Sequence, residues 1–361
     1  MDCYLTQTAA WLPGDAVEND QIDRYLGTIA SEELVRDTVL AMNGIKRRHY
    51  AQNEHQEATE DIYSMATRAA ELCLRKSPDI RISYLTAGTT FAPLTAPGIA
   101  SIIHDRLSER GHLKHSIEIS SHSGICSSSA TALVSAIRAV RAGEHAAVLS
   151  IGAEHPSDKL KSTVLHPPDD RDEHENIQHS QWFMSVFLRF MLSDGAGAFL
   201  LQNHPAPDRL SLKVNWTYAA SFAHAAPLCM KYDTDTGLLS QDITILNRHL
   251  FPCAEQFVST ALEKHDESLD SYHWILPHIS SYFFRKKMER LIVRHCGEGD
   301  NHPSWWTNLA TAGNTGAASI YILLDEFLRT HDLKSADRLM LFVPESGQFN
   351  FVMISLTVVH P

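Results

Sequence analysis

The 361-residue chain has no Cys-x-x-Cys pair, no basic tract and no apolar run of the roughly 20 residues a membrane span needs. Each absence removes a class of protein. The six cysteines, at 3, 73, 126, 229, 253 and 296, are scattered, which fits neither a zinc ribbon nor a disulfide framework and points to a reducing compartment. The formal net charge is −12, and an acidic chain without basic tracts argues against nucleic acid as the main partner. A local basic patch could still meet an acidic carrier. The opening "MDCYLTQTAAWLPGDAVEND" has an acidic second residue and no long apolar stretch, so it does not read as a signal peptide. The expectation is a cytoplasmic protein with no membrane segment. Charged residues make up 20% and hydrophobic residues 44%, ordinary for a globular chain with a large core.

Histidine is abundant, at 21 residues. Most are isolated in polar surroundings, as in "HPPDDRDEHENIQHSQ" (166–181). That run reads as a solvated loop, because a metal site needs a fixed geometry of three or four ligands, and no metal is expected.

The pattern along the chain alternates strand and helix. "CYLTQTAAWLP" reads as a strand; "NDQIDRYLG", "SEELVRDTVLAMNG" and "DIYSMATRAAELCLRKS" read as helices, the second closed by Gly44. "IRISYLTAGTT" is a strand and "TAPGIASIIHDRLSERG" a helix with Pro97 in its first turn. "HSIEISSHSG" is a strand running into small residues. A helix follows over 127–141, with Ala130, Leu133, Val134, Ile137 and Val140 on one face and Gly143 as its stop. "HAAVLSIGAE" is a buried strand. Residues 163–190 read as an irregular surface excursion, and "FMLSDGAGAFLLQ" as a strand broken by a tight glycine turn. "HPAPDR" (204–209) marks a boundary, after which the rhythm repeats through "LSLKVNWTYAAS", "NRHLFPCAEQFVSTALEKH", "HWILPHIS", "SYFFRKKMERLIVRHC", "NTGAASIYILLDEFLRT", "RLMLFVPES" and "FNFVMISLTVV". Alternation of this kind predicts an α/β fold with covered sheets, in two halves, 1–203 and 204–361.

Three residues stand where chemistry is possible. Cys126 lies in "HSGICSSSATALVSAIRAVRAG", at the start of a helix whose N–H groups and dipole favour a thiolate. A small buried cysteine packs equally well there. His278 ends an apolar strand in "WILPHISSYFF", where α/β proteins bind ligands, and could equally be a satisfied core histidine. Asn314 in "TAGNTGAASIYILLDEF" could be a helix cap, a site residue, or both. "SDGAGA" (193–198) has the wrong spacing for a phosphate loop and reads as scaffold.

Together, "GICSSSATAL", "SDGAGA", "PHISSYF" and "GNTGAASI" resemble the thiolase superfamily in order and spacing, and most resemble its ketoacyl-ACP synthase III branch. "NGIKRRHYA" (43–51) is similar to that branch's "TGIxxR" motif, with Met42 and Asn43 replacing Arg-Thr. The resemblance spans nearly the whole chain. It implies a thiolase-like fold of two duplicated halves in αβαβα layers, and a homodimer. It also implies a Cys126–His278–Asn314 triad with no bound cofactor, acting on acyl-CoA or acyl-ACP thioesters. Cys126 would take an acyl group, with an oxyanion hole from the backbone N–H of Cys126 and that of Ser346 or Gly347. His278 and Asn314 would then donate to the carbonyl of a second, malonyl or β-ketoacyl thioester as its α-carbon attacks.

The chain departs from the family in places. The C-terminal loop, glycine-rich in housekeeping members, is "VPESGQFNFVMISL". With "WWTNLATAGNTG" it is similar to specialised ketosynthases that join two fatty-acyl units in dialkylresorcinol or cyclohexanedione formation. Glu345 reads as a surface loop carboxylate, with an added acid–base role as the alternative. Phe283 stands where the family has a basic residue. Arg285, Lys286, Lys287 and Arg290 on the same helix, together with Arg47 and Arg48, are the candidates for carrier or CoA docking. The family's dimer loop falls on "TTFAPLTAPGIAS", making Phe91, Leu94 and Ala96 candidate acyl-pocket residues. Two other readings stand beside the condensing enzyme. One is a same-fold acyltransferase to an alcohol or amine, in which His278 would gain from an orienting carboxylate; the other is a non-catalytic partner subunit.

Overall fold

The computed structural model describes residues 1–29, 33–165, 181–296 and 302–361. The first run of elements is β1 (Tyr4–Trp11), β2 (Val17–Glu18), α1 (Ile22–Leu26), α2 (Glu33–Asn43), β3 (Arg47–Arg48), α3 (Ile62–Arg75) and β4 (Tyr84–Thr89). It continues through α4 (Ile99–Glu109), β5 (Glu118–Ser123), α5 (Ser128–Ala142), β6 (Ala147–Glu154), α6 (Ser157–Leu160), α7 (Gln181–Arg189) and β7 (Gly195–Gln202). The second run is β8 (Ser211–Ser221), β9 (Met230–Asp233), β10 (Leu238–Gln241), α8 (Ile243–His265), β11 (Trp274–Pro277) and α9 (Arg285–Arg294). It closes with β12 (Ser304–Trp305), α10 (Leu309–Ala312), α11 (Ser319–Thr330), β13 (Arg338–Pro344) and β14 (Asn350–Val359).

Ten strands form one sheet, in the order β12-β11-β13-β14-β8-β1-β7-β6-β4-β5. The order reads the same outward from its centre. β1 pairs antiparallel with β7, β7 antiparallel with β6, and β6, β4 and β5 run parallel. β8 likewise pairs antiparallel with β14, β14 antiparallel with β13, and β13, β11 and β12 run parallel. The two sets join where Tyr4 and Leu5 face Lys213 and Leu212.

Side-chain alternation along the strands builds the layers. Val148, Phe199 and Leu201 pack with Leu339, Leu341, Val352 and Ile354 around α5 and α11, which form the central layer. The alternate residues of the first half, Leu149, Ile151, Ala198 and Leu200, face α3 and α4. Met340, Phe342, Phe351 and Met353 of the second half face α8 and α9. The result is the five-layered αβαβα arrangement expected from the sequence.

Helix α5 ends as its sequence predicts, on Gly143 at φ 82°. Its first turn lies directly on β4: a Cβ on Gly88 would stand 2.4 Å from Ser129 Cα. Gly197 plays the same part for α11, with a Cβ 2.4 Å from Tyr321 Cβ. This corrects the reading of "SDGAGA" as containing a turn. β7 is continuous, and its glycines are there for close helix approach. Pro97 lies outside α4, ahead of its N-cap Gly98. The excursion over 163–190 contains α7, whose apolar residues Val186 and Leu188 are buried against the core. Residues 166–180 of the histidine-rich run lie outside the described residues. The β9–β10 hairpin carries no alternating pattern, because its "KYDTDTGLLSQ" is largely polar. No helix among the described residues is long and apolar enough to cross a membrane.

Because Gly88 meets backbone and not a flexible side chain, Gly88→Ala should destabilise the protein by roughly 1–3 kcal/mol, as overpacking does. Thermal unfolding followed by circular dichroism measures this, and an unchanged melting temperature would show that α5 is not seated on β4.

Candidate active site

Cys126 sits on the turn between β5 and α5, 8% exposed. The turn is closed by Ser128 N–H donating to the Ile125 carbonyl at 3.2 Å. The Ser129 hydroxyl donates to the Ala317 carbonyl, and Tyr321 Oη donates to the Ser129 carbonyl at 3.0 Å. The start of α5 is thereby tied to the start of α11, and so to Asn314.

His278 follows β11 directly, and its backbone N–H donates to the Phe342 carbonyl at 2.8 Å. It is 4% exposed, and burial pushes its imidazole down to about 4, so it is neutral at physiological pH.

Asn314 lies between α10 and α11. Its N–H donates to the Met191 carbonyl at 3.1 Å, and its carbonyl accepts from Ser193 N–H at 2.9 Å. Its side-chain Oδ1 accepts from Gly316 N–H at 3.0 Å, which fixes the amide and leaves Nδ2 as a donor with no partner among the described residues. Asn314 is therefore both a local cap and a cleft residue. Gly313, at φ 72°, has no room for a side chain: a Cβ would stand 2.8 Å from Ser193 Cβ. "SDGAGA" thus acts as scaffold for Asn314. Its fully buried Asp194 accepts from Ala51 N–H at 2.6 Å and from the Ser157 hydroxyl at 2.5 Å, pinning two further loops.

Two narrow clefts meet at Cys126. One, of about 40 Å3, is walled by His278 with Leu246, Leu250, Phe251, Phe284 and Met288. The other, of about 30 Å3, is walled by Asn314 and Glu154 with Leu188, Met191, Met230 and Leu239. Ser346 lines both. Gly347 instead faces an outer cavity of about 590 Å3, with Phe91, Leu94, Tyr232 and Glu345. Each cleft has room for little more than water, so an acyl chain enters only if the methionines and leucines move, which unbranched methionine does readily.

The electrostatics correct one expectation. Burial, then Glu345, then Glu154 push the Cys126 thiol far up, so the resting form is the thiol and not a thiolate favoured by the helix. The N–H of the N-cap residue, Ser127, is already given to Glu345. Glu345 is not a surface carboxylate either: it is 6% exposed. Glu154, missed in the sequence, ends β6. Its Oε1 accepts from Thr90 N–H at 2.7 Å, the Thr90 hydroxyl at 2.5 Å and Ala317 N–H at 3.2 Å. Burial pushes its carboxyl up to about 7. A charge closing an otherwise buried apolar strand was the signal for it.

The outlying candidates separate. Phe91 lines the Asn314 cleft and the outer cavity, stacking on Tyr232 at 4.9 Å. Leu94 lines the outer cavity, and Ala96 is exposed and lines none of the three. Arg47 is exposed and paired with Glu18 at 2.7 Å. Arg48 cannot meet a carrier. It is fully buried, with Nη1 on Asn19 Oδ1 at 2.7 Å and Nη2 on the Phe190 carbonyl at 3.0 Å. Arg285 (paired with Glu289 at 2.9 Å), Lys286 and Arg290 are exposed on α9.

A five-layered αβαβα fold with a cysteine at the start of a central helix is thiolase-like, and the comparisons agree. No family model matches the chain. It is 26% identical over 332 residues to β-ketoacyl-[acyl-carrier-protein] synthase III of Acholeplasma laidlawii, covering 89% of this chain and 88% of that protein. The Ehrlichia chaffeensis protein of the same name is 24% identical, covering 91% of each. Among solved structures, AbyA1, a tetronic acid condensing enzyme, superposes with TM-score 0.77 at 18% identity, over 98% of this chain and 99% of that one. OleA of Xanthomonas campestris, with bound lauric acid and lauroyl-CoA, gives 0.78 at 18% identity, over 99% of each. The 3-oxoacyl-(acyl carrier protein) synthase III of Pseudomonas aeruginosa gives 0.72 at 19%, over 99% and 98%. The chain is thus thiolase-like in fold and ketoacyl-ACP synthase III-like in sequence along nearly its whole length, as its motifs implied.

With its titration displaced to about 4, the His278 imidazole should remain neutral from pH 8 down to pH 5 and protonate only below that. Its ring C–H resonances should be flat over that range in an NMR titration. A midpoint near 6.5 would contradict the burial.

Proposed function

We propose that the protein is a ketosynthase III-like condensing enzyme, with Cys126 as nucleophile and His278 and Asn314 as donors to the second substrate. The observation that carries this reading is that Cys126 is the wall shared by two apolar clefts, one holding His278 and the other Asn314. The first acyl group transfers from a CoA or ACP thioester to Cys126 Sγ, and the carrier thiol leaves with the cysteine proton. Negative charge on the tetrahedral oxygen is met by the N–H groups of Cys126 and Ser346, the latter favoured over Gly347 because Ser346 lines both clefts. A malonyl or β-ketoacyl thioester then occupies the site with its carbonyl toward His278 Nε2–H and Asn314 Nδ2–H. As its α-carbon becomes a carbanion, by loss of carbon dioxide from a malonyl unit or of a proton to water from the more acidic β-ketoacyl unit, these neutral donors stabilise the enolate. The carbanion attacks the acyl-cysteine, the carbon–carbon bond forms, and the Cys126 sulfur leaves.

Two largely apolar clefts that share Cys126 favour the joining of two acyl units, in fatty-acid-derived or polyketide secondary metabolism. Among the described residues no carboxylate pairs with the His278 ring, which favours condensation over acyl transfer to an alcohol or amine. The same reading includes division into halves 1–203 and 204–361, a homodimer, a cytoplasmic location, and docking of CoA or an acyl carrier protein near Arg47, Arg285, Lys286 and Arg290. Phe91 and Leu94 would help to set acyl length.

The test separates loading from condensation. His278→Ala and Asn314→Ala should still take an acyl group on Cys126 yet lose condensation by about 100-fold or more, the scale of losing one oxyanion donor. Cys126→Ala should abolish both. Product quantified by mass spectrometry with paired acyl and malonyl or β-ketoacyl thioesters reads the outcome; full condensation by Cys126→Ala would refute the mechanism.

A further inference from the structure

The proton-loss route above leaves its proton with water, yet a nearer acceptor lines the same cleft. Glu154 is the one carboxyl among the described residues that walls either cleft at Cys126; Asp194 and Glu345 wall neither. Its side chain is held by one oxygen only. Oε1 accepts from Thr90 N–H at 2.7 Å, the Thr90 hydroxyl at 2.5 Å and Ala317 N–H at 3.2 Å, while Oε2 has no hydrogen-bond partner among the described residues. Three donors on one oxygen fix the direction of the carboxyl and leave the lone pairs of the other unused. A polar atom left without a partner on the wall of a cleft is placed to meet a substrate.

Glu154 and Asn314 are fixed by consecutive residues. Gly316 N–H donates to Asn314 Oδ1 at 3.0 Å, and Ala317 N–H donates to Glu154 Oε1. Gly316 also lies directly against Glu154, since a Cβ there would stand 3.0 Å from Glu154 Cγ. The amide that meets the second thioester's carbonyl and the unpartnered carboxyl oxygen therefore belong to one wall. Enolate formation needs such a pair, a donor at the carbonyl oxygen and an acceptor at the neighbouring carbon. Burial raises the Glu154 carboxyl to about 7, so near neutrality both its proton-accepting and its proton-returning forms are populated.

We propose that Glu154 is the catalytic base of the proton-loss route, accepting on Oε2 the α-proton of the β-ketoacyl unit whose carbonyl Asn314 meets. The inference rests on the condensing reading above. The α-carbon–hydrogen bond breaks, its electron pair passes into the enolate at His278 and Asn314, and the proton goes to the carboxylate. The enolate carbon attacks the acyl-cysteine, and the Cys126 sulfur leaves as thiolate. Cys126 walls the same cleft, and burial makes its thiol a far weaker acid than the Glu154 carboxyl, so the proton passes from Glu154 to sulfur. Thiol and carboxylate are both restored, and no co-reactant is consumed. A malonyl unit, which loses carbon dioxide, needs no base to make its enolate.

The test compares the two second substrates in one variant. Glu154→Gln keeps an Oε1 acceptor for Thr90 and Ala317 and removes the basic oxygen. The ratio of β-ketoacyl to malonyl condensation, read by product mass spectrometry, should fall by about 100-fold or more, the lower end of what a general base contributes. An unchanged ratio, including an equal fall with both units, overturns the proposal, since a packing role would weaken both alike. A second measurement does not depend on that variant folding. Cys126→Ala, which cannot condense, should speed deuterium entry at the α-carbon of a β-ketoacyl-CoA in D2O by about tenfold or more over buffer. Entry at the buffer rate overturns the proposal, and so does fast entry that persists when Glu154→Gln is added. Wild-type protein that loads no acyl group on Cys126 defeats the condensing reading and this inference with it. Wild-type protein that loads and condenses both units, with an unchanged ratio in Glu154→Gln, defeats this inference alone.

Discussion

The site depends on the close approach of the first turn of α5 to the backbone of β4. Gly88 leaves no atom between them, and that contact fixes the height of Cys126 in the central layer. The contact then propagates. The Ser129 hydroxyl reaches the Ala317 carbonyl only because α5 is this deep, and the same bond draws in the loop that carries Asn314. Asn314 is held from its other side by Ser193, against a glycine that could not be another residue. Cys126 and Asn314 come from distant parts of the chain, so the site is a product of long-range packing.

That packing buries charge, which is costly without partners. Asp194, Glu154 and Glu345 are all buried, and each is met by backbone N–H and hydroxyl donors. They differ in what they face. Asp194 ties the loops of Ala51 and Ser157 together beside Ser193, whereas Glu154 and Glu345 raise the cost of a second negative charge at Cys126. His278, stripped of water by Phe284, Phe342 and their neighbours in the same cleft, stays neutral. A site with a protonated thiol and a neutral histidine suits chemistry in which hydrogen bonds are donated to a forming oxyanion or enolate.

Much of this was legible in the sequence. The apolar face of α5, its glycine stop and the strand leading into Cys126 are local features, set by spacing and by one left-handed residue. The two-half rhythm was legible because strand and helix periods differ. What was not legible came from contacts across the chain. Glu345 and Ser127 are 218 positions apart, and nothing in "PESGQF" says that its carboxylate will sit on a helix start in the other half. Arg47 and Arg48 are neighbours of identical chemistry, yet on β3 successive side chains face opposite ways, one to solvent and one inward. The glycines of β7 were misread because close helix approach and a turn call for the same residue.

The central claim is that Cys126, between two apolar clefts, accepts an acyl group from a thioester. The most direct measurement is peptide mass mapping after incubation with a panel of acyl-CoA and acyl-ACP donors. The account predicts one acyl mass per chain, on the peptide carrying Cys126 and released by hydroxylamine. An acyl group on another cysteine, or none from any donor, would contradict it.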